Sequence, residues 1–311
     1  MPMQRVVLAG IVTFGIGIAS SASAASLPNT PAVPVQIVVT VLPASHGGPH
    51  QTLRDGDVVV LRRNARVPVV RLERLSGDLA DMQLFVLLDD STRTSSLGLH
   101  LPELKAFLES LPSSTEVAIG YMRNGTAALA QAFTTDHETA ASALRLPTAV
   151  PGENGSPYFA LSDLAKHWPS KQSTDRRAVL MLTDGVDRYY GNGIIDDPYV
   201  DDAIHDVLKN GVMVYSIYLR GAGLYGRGEY ATNFAQSRLM QVSEQTGGYA
   251  YFQDFTDPVT IAPFLSNFQD RLDNQYRVMI GALSGNGVQP VKVRTEVPGV
   301  KIQAPTRVYI R

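Results

Sequence analysis

Hydrophobic positions along the chain follow two regimes. Between residues 35 and 78 they form short β-branched runs, Gln36 to Leu42, Asp57 to Leu61 and Val67 to Leu72, which predict strands of a small β-rich unit. From residue 82 onward, continuous apolar runs alternate with amphipathic stretches. Gln83 to Leu88, Val117 to Met122, Ala127 to Phe133, Ala178 to Thr183, Val212 to Leu219 and Tyr249 to Phe252 predict strands, several of the fully buried parallel kind. Helices are expected over Pro102 to Leu111 with Pro102 in the first turn, and from Asp136 to near Leu146 with Thr135 as cap and Glu138 closing a capping box. Further helices are expected over Tyr158 to His167, Tyr199 to Asn210, Ala231 to Gln245 and Val259 to Leu272. After Asn274 the pattern returns to β, at Gln275 to Ile280, Val291 to Thr295 and Thr306 to Arg311. These last strands either pack with the N-terminal ones or extend the sheet edge. Strand–helix alternation over residues 82–273 predicts an α/β fold, a doubly wound, mostly parallel, Rossmann-like sheet, with flanking β-rich segments at 35–78 and 275–311.

The first residues follow neither regime. Arg5 precedes an uncharged run from Val6 to Ala19, and Ser21-Ala22-Ser23-Ala24 ends in a small-x-small pattern. This predicts a secretory signal peptide, residues 1–24, cut after Ala24 and followed by a flexible mature N-terminus at 25–34. An uncleaved anchor is the alternative. The expectation is a secreted or periplasmic protein with no stable membrane insertion after cleavage. The 311-residue chain has no cysteine, which excludes disulfides, thiol catalysis and thiolate metal sites, so any metal must be held by oxygen or imidazole. Net charge is only −2, without a basic stripe, so nucleic acid is not an expected partner.

Candidate chemistry lies where two apolar runs stop. Asp89 closes Leu84-Phe85-Val86-Leu87-Leu88, and Asp184 closes Ala178 to Thr183. Open α/β sheets bind ligands beyond the carboxyl ends of their strands, where strand order reverses. In an order 3-2-1-4-5 the first and fourth strands are neighbours there, which brings Asp89, Asp90, Ser91 and Asp184 around one crevice. Two carboxylates so close need a cation, an arginine or water between them. Oxygen donors suit a hard cation: Mg²⁺, Mn²⁺ or Ca²⁺.

These residues carry a resemblance. Residues 82–273 resemble a von Willebrand factor type A domain, whose metal-ion-dependent adhesion site uses an Asp-x-Ser-x-Ser loop, a Thr from a second loop and an Asp after the fourth strand. Asp89 and Ser91 match the first two positions, and Asp184, in Leu182-Thr183-Asp184-Gly185, matches the last. Ser156 is the candidate for the second-loop hydroxyl, with Thr148 behind it. The third position of the first loop is Arg93, which cannot ligate a cation. It either turns inward to neutralise Asp89 or Asp184 in the ion's place, or faces out and leaves a weakened site. A shifted reading, Asp90-x-Thr92-x-Thr94, is a third option. The N-terminal β unit and the segment Val300 to Ile310 also resemble exported bacterial proteins carrying this domain, notably from acidobacteria. The resemblance implies a protein-binding, adhesion-type module whose crevice cation accepts an acidic residue of a protein partner. The alternative is a metal-free structural or assembly component of the cell envelope, in which Arg93 replaces the ion.

Other motifs add less. Asp187, Asp196, Asp197, Asp201 and Asp202 follow Asp184, but their spacing matches no calcium helix–loop–helix pattern, and a solvated, helix-capping loop is the plainer reading. Tyr189, Tyr190, Tyr225 and Tyr230 fall in loops on the same predicted face, where tyrosine is either an interface contact or an ordinary surface residue. The histidines show no ligand spacing, and no nucleophile-elbow or phosphate-loop pattern occurs, so an enzyme is not expected. A metal-assisted hydrolase built on Asp89 and Asp184 is the remote alternative. Intact-mass analysis of the protein exported by its host is expected to give a chain beginning at Ala25. Retention of residues 1–24 would indicate the anchor instead.

Overall fold

The computed structural model describes residues 34–45, 47–150, 155–172, 176–188, 198–220, 228–281 and 283–310. The signal-peptide expectation, residues 25–33, His46, Tyr189, Tyr190, Asp196, Asp197 and Tyr225 lie outside the described residues. Among the described residues no helix is long and apolar enough to cross a membrane.

The central sheet contains β5 (Met82–Asp89), β6 (Thr115–Arg123), β7 (Thr126–Thr134), β8 (Arg177–Thr183), β9 (Val212–Tyr218) and β10 (Ala250–Tyr251). Their spatial order is β10-β9-β8-β5-β6-β7. All neighbours are parallel except β7, which returns antiparallel to β6. Counted from β5, this is order 3-2-1-4-5-6, with strand order reversing between β5 and β8. Every residue of β5 is buried, as its unbroken apolar run predicts.

Alternate residues of β5 enter different cores. Leu84, Val86 and Leu88 pack with Leu97, Leu104 and Leu108 of α1 (Thr94–Glu109) and with Leu265 and Phe268 of α6 (Ala262–Asp273). Phe85 and Leu87 pack on the other face against Tyr158, Leu161 and Leu164 of α3 (Pro157–Lys166) and Ile204 and Val207 of α4 (Pro198–Lys209). Val242 of α5 (Glu229–Thr246) joins this second core. Gly120 makes room for the ring of Phe85, because a Cβ there would lie 2.5 Å from Phe85 Cζ.

The last helix begins at Ala262 rather than Val259, and two others differ more from expectation. α1 begins at Thr94, and Pro102 lies inside it rather than in its first turn. Burial of Ser96, Leu97 and His100 on the same face as Leu104 overrides the local cost of the proline. α2 covers only His137–Ser142, and its cap is Asp136, whose side chain accepts from Thr139 N at 3.1 Å, not Thr135. The chain leaves the helix early because the Tyr121 hydroxyl takes the Arg145 N–H at 2.7 Å.

The flanking segments form three small sheets around one further core. β1 (Val35–Pro43) runs antiparallel between β11 (Gln275–Ile280) and β14 (Val300–Gln303), and β4 (Val69–Arg74) pairs with the far side of β11. β2 (Val58–Arg62) pairs with β3 (Ala65–Val67) and β13 (Lys292–Thr295), and β12 (Gly287–Pro290) pairs with β15 (Arg307–Ile310). Pro68 separates β3 from β4, so the run at 67–72 is divided between two strands. Ile37, Val39, Val60, Val278 and Val308 are among the residues that fill this core.

Arg176, immediately before β8, joins the two parts. Its guanidinium is buried and donates to the carbonyls of Leu75, Ala80 and Leu272 and to Gln275 Oε1, at 3.4, 2.9, 2.7 and 3.1 Å. Burial lowers its pKa to about 10, still cationic at neutral pH. Arg176→Met keeps the bulk of the side chain but leaves those acceptors without their donor. It is expected to cost about 3 kcal/mol or more, read as a lower urea midpoint. A midpoint unchanged from the parent would show that water replaces the guanidinium.

Candidate functional site

The sheet register sets the site. Gln83 pairs with Arg177 and Leu88 with Leu182, so β5 and β8 reach their carboxyl ends side by side. Asp89 and Asp184 emerge there, both buried, at 6% and 1% exposure. Thr183 links them: its hydroxyl donates to Asp89 Oδ2 at 2.9 Å and accepts the Gly185 N–H at 3.1 Å. The other Asp89 oxygen accepts from Ser91, from N–H at 2.9 Å and from the hydroxyl at 2.7 Å. Asp89, Ser91 and Asp184 therefore sit at the crevice where the strand order reverses.

The remaining sequence-predicted residues are placed as follows. Ser156 is the N-cap of α3; its hydroxyl donates to Asp187 Oδ2 at 2.6 Å and accepts from Phe159 N at 3.3 Å. Asp90 is fully buried but turned away from the crevice. It accepts from Arg145 at 2.7 Å and from Thr148 N and Oγ1 at 2.9 and 3.1 Å, and lies 3.4 Å from Arg123. Thr148, the second hydroxyl candidate, is thus committed to Asp90. The shifted reading loses its geometry, because β5 ends at Asp89 and the Thr92 hydroxyl donates to the Asp89 carbonyl at 3.0 Å. Tyr230, at the start of α5, is 64% exposed.

Arg93 does not neutralise the crevice. It is the N-cap residue of α1, half-buried, with its carbonyl accepting from Ser96 N at 3.0 Å. Among the described residues it makes no ion pair with Asp89 or Asp184. The guanidinium at the carboxylates belongs to Arg188. Its Nη1 donates to Asp184 Oδ1 at 3.2 Å, and its Nη2 bonds Asp184 Oδ2, so the contact is bidentate. A tight turn returns Arg188 to its own aspartate. Val186 N donates to Asp184 Oδ1 at 2.9 Å, and Gly185 adopts φ +68° with no room for a Cβ against Leu239. Sequence reading missed Arg188. The available signal was a basic residue four positions after Asp184 with a glycine between them.

Burial and charge oppose each other here. Desolvation pushes the Asp184 carboxyl up, Arg188 pulls it down, and the charge of Asp89 pushes it up again. Burial disfavours the charge of Arg188, yet Asp184, Asp89 and Asp187 together raise its pKa above the ordinary arginine value. A guanidinium does not surrender its proton in a protein, so the positive charge of Arg188 is fixed.

The cation set assigned from sequence does not fit a divalent ion as it stands. Both Asp184 oxygens are engaged by a guanidinium, and the Ser156 hydroxyl is turned to Asp187. No cluster of three or more acidic or histidine side chains arranged to hold a metal occurs among the described residues.

No family model and no curated protein matches the chain. Among solved structures it is similar to an aerotolerance-related membrane protein from Bacteroides fragilis carrying multiple mutations to serine, at 13% identity and TM-score 0.44, covering 62% of this chain and 98% of that one. It is also similar to the conserved hypothetical protein BatB from Bacteroides thetaiotaomicron, at 13% identity and TM-score 0.43, covering 61% and 96%. A third is the SpRpn10 VWA domain, at 13% identity and TM-score 0.38, covering 60% and 94%. The fold assignment rests on the chain's own strand order: a doubly wound α/β sheet whose third strand alone is antiparallel, with acidic loops at its two central strands. That strand order is the doubly wound α/β arrangement expected from the resemblance to a von Willebrand factor type A domain, here joined to a β-rich flank.

Asp90 offers a pH test. Burial raises its carboxyl, but bonds to Arg145 and Thr148 outweigh this and hold it below the ordinary value of 3.8. A depressed folded-state pKa contributes stability that is present above 3.8 and lost as pH falls through the lower folded value. Asp184, pushed up, contributes the opposite slope. Urea midpoints measured from neutral pH into acid are therefore expected to fall less steeply below 3.8 in Asp90→Asn than in the parent, from a lower starting value. Parallel curves would remove Asp90 from the acid response.

Proposed function

We propose that the chain is an exported protein-binding module that docks a partner on the loops at the carboxyl end of its central sheet. One observation supports this most: Asp89 and Asp184, buried side by side where strand order reverses, with a fixed positive charge lodged against them. Burying charge is costly, and an apolar pair would pack at less expense. The feature therefore calls for a role other than stability. Open sheets of this kind bind ligands at this end. Arg188 is already paired with Asp184 and its side chain is 8% exposed, so an acidic side chain of the partner gains little from it, and recognition falls to exposed residues at the rim. Exposed residues around it, such as Tyr230 at the start of α5, supply contacts that select the partner.

A second reading, a metal-independent assembly component of the cell envelope, draws support from the bidentate Arg188–Asp184 contact. The two readings share the docking face and differ in what docking serves, recognition of a partner or assembly of the envelope.

The face can be tested without knowing the partner. A photoreactive residue is placed at Tyr230, at the crevice end, and a control at Leu79, ahead of β5 at the opposite end. Both positions are exposed. Irradiation in the native host is expected to give a discrete cross-linked protein from position 230 and none from 79. Equal products from both positions, or none from either, would overturn the reading.

A further inference from the structure

We infer that Arg188 is the resident cation of the crevice, a side chain that fills the divalent-ion position and makes this face independent of metal. The inference deepens the proposed docking function and rests on the same face, but it is argued from the crevice alone. Three features lead to it.

The first is occupancy. The Arg188 and Asp184 side chains are 8% and 1% exposed, and the guanidinium engages both carboxylate oxygens. A metal ligand needs a free lone pair directed at the ion, and a bidentate fork from arginine covers that edge of the carboxylate. The second is charge. Asp89 and Asp187 also act electrostatically on the guanidinium that Asp184 binds, so its charge is felt beyond that one carboxylate. The third is delivery. Gly185 at φ +68° and the Val186 N–H bond to Asp184 Oδ1 shape a turn that brings Arg188 back onto Asp184. The Arg188 N–H donates to the Gly155 carbonyl at 3.3 Å, which ties this turn to the entrance of α3. Backbone geometry thus directs the side chain inward.

A direct consequence follows. The donors around the ion position, Asp89, Ser91 and Asp184, remain together at the ends of β5 and β8. Removing the guanidinium frees the Asp184 oxygens and leaves net negative charge, a condition that favours a hard divalent cation. Metal affinity is then gained by deleting a positive charge, not by adding a ligand.

The test uses metal-stripped protein and Mn²⁺ or Mg²⁺ alone, so it does not depend on any partner being found. For the parent chain, calorimetry is expected to show no crevice binding, and saturating Mn²⁺ is expected to leave the melting temperature unchanged. Arg188→Ala is expected to bind one Mn²⁺ at least tenfold more tightly than the parent, seen by calorimetry and by the electron paramagnetic resonance of the bound ion. The double variant Arg188→Ala/Asp184→Asn should lose that site. A parent chain that binds Mn²⁺, with binding and melting shift abolished by Asp184→Asn, would overturn the inference. So would a folded Arg188→Ala protein that binds no metal. If Arg188→Ala does not fold, the guanidinium N–H resonances of the parent decide. Slowed side-chain exchange, unaltered by Mn²⁺ and lost in Asp184→Asn, supports the inference, and resonances displaced by Mn²⁺ refute it. Failure of cross-linking at Tyr230 would remove the docking function and leave these outcomes intact.

Discussion

Buried Arg176 sets where everything else lies. It sits one residue before β8 and fills the junction where the ends of β4 and α6 and the start of β11 meet, bonding to Leu75 just past β4, to Leu272 of α6 and to Gln275 of β11. Its own carbonyl accepts from Gln83 N at 2.9 Å, which fixes the start of β8 against β5. From that point the two strands advance in step, and Asp89 and Asp184 arrive together at the far end. A buried guanidinium at the amino end of the sheet therefore controls the alignment of two buried carboxylates at the carboxyl end. Carbonyl oxygens suit this task because they share the charge among several acceptors.

The crevice follows a different rule. Its carboxylates belong to separate strands, and each is held before any cation is considered: Asp89 by Ser91 of its own loop and by Thr183 of β8, Asp184 by Val186 N. Arg188 then completes a site whose framework is already ordered. Asp90, adjacent in sequence to Asp89, serves the fold instead by clamping the segment at Arg145 and Thr148 onto the end of β5. Adjacent aspartates with opposite assignments reflect the alternation of side chains across the sheet.

Legibility in the sequence tracks this difference. The α/β fold and the β5–β8 adjacency could be read because buried parallel strands appear as continuous apolar runs ending at polar residues. The start of α1 could not, because Thr94, Ser95 and Ser96 are weak helix formers and Pro102 ordinarily marks a first turn. Tertiary burial decided that boundary. In the site, Asp89, Ser91 and Asp184 could be read as crevice residues from strand ends alone. The partner of Asp184 could not, since the reach of Arg188 depends on the backbone turn at Gly185. Arg93 drew attention through its place in a pattern, whereas position in space favoured an arginine that no pattern names.

The placement of β1 has a consequence for how the chain assembles. β1 lies between β11 and β14, strands contributed from beyond residue 274. β1 thus finds both neighbours only when residues 275–303 are present, with the whole α/β portion intervening. Loop closure of that length delays pairing, and the flank cannot form ahead of the rest. Until then β1 is an unpaired, β-branched strand with both edges open, the kind of segment that a holding chaperone recognises. The topology thus makes the pairing of β1 wait for strands that lie beyond the α/β portion.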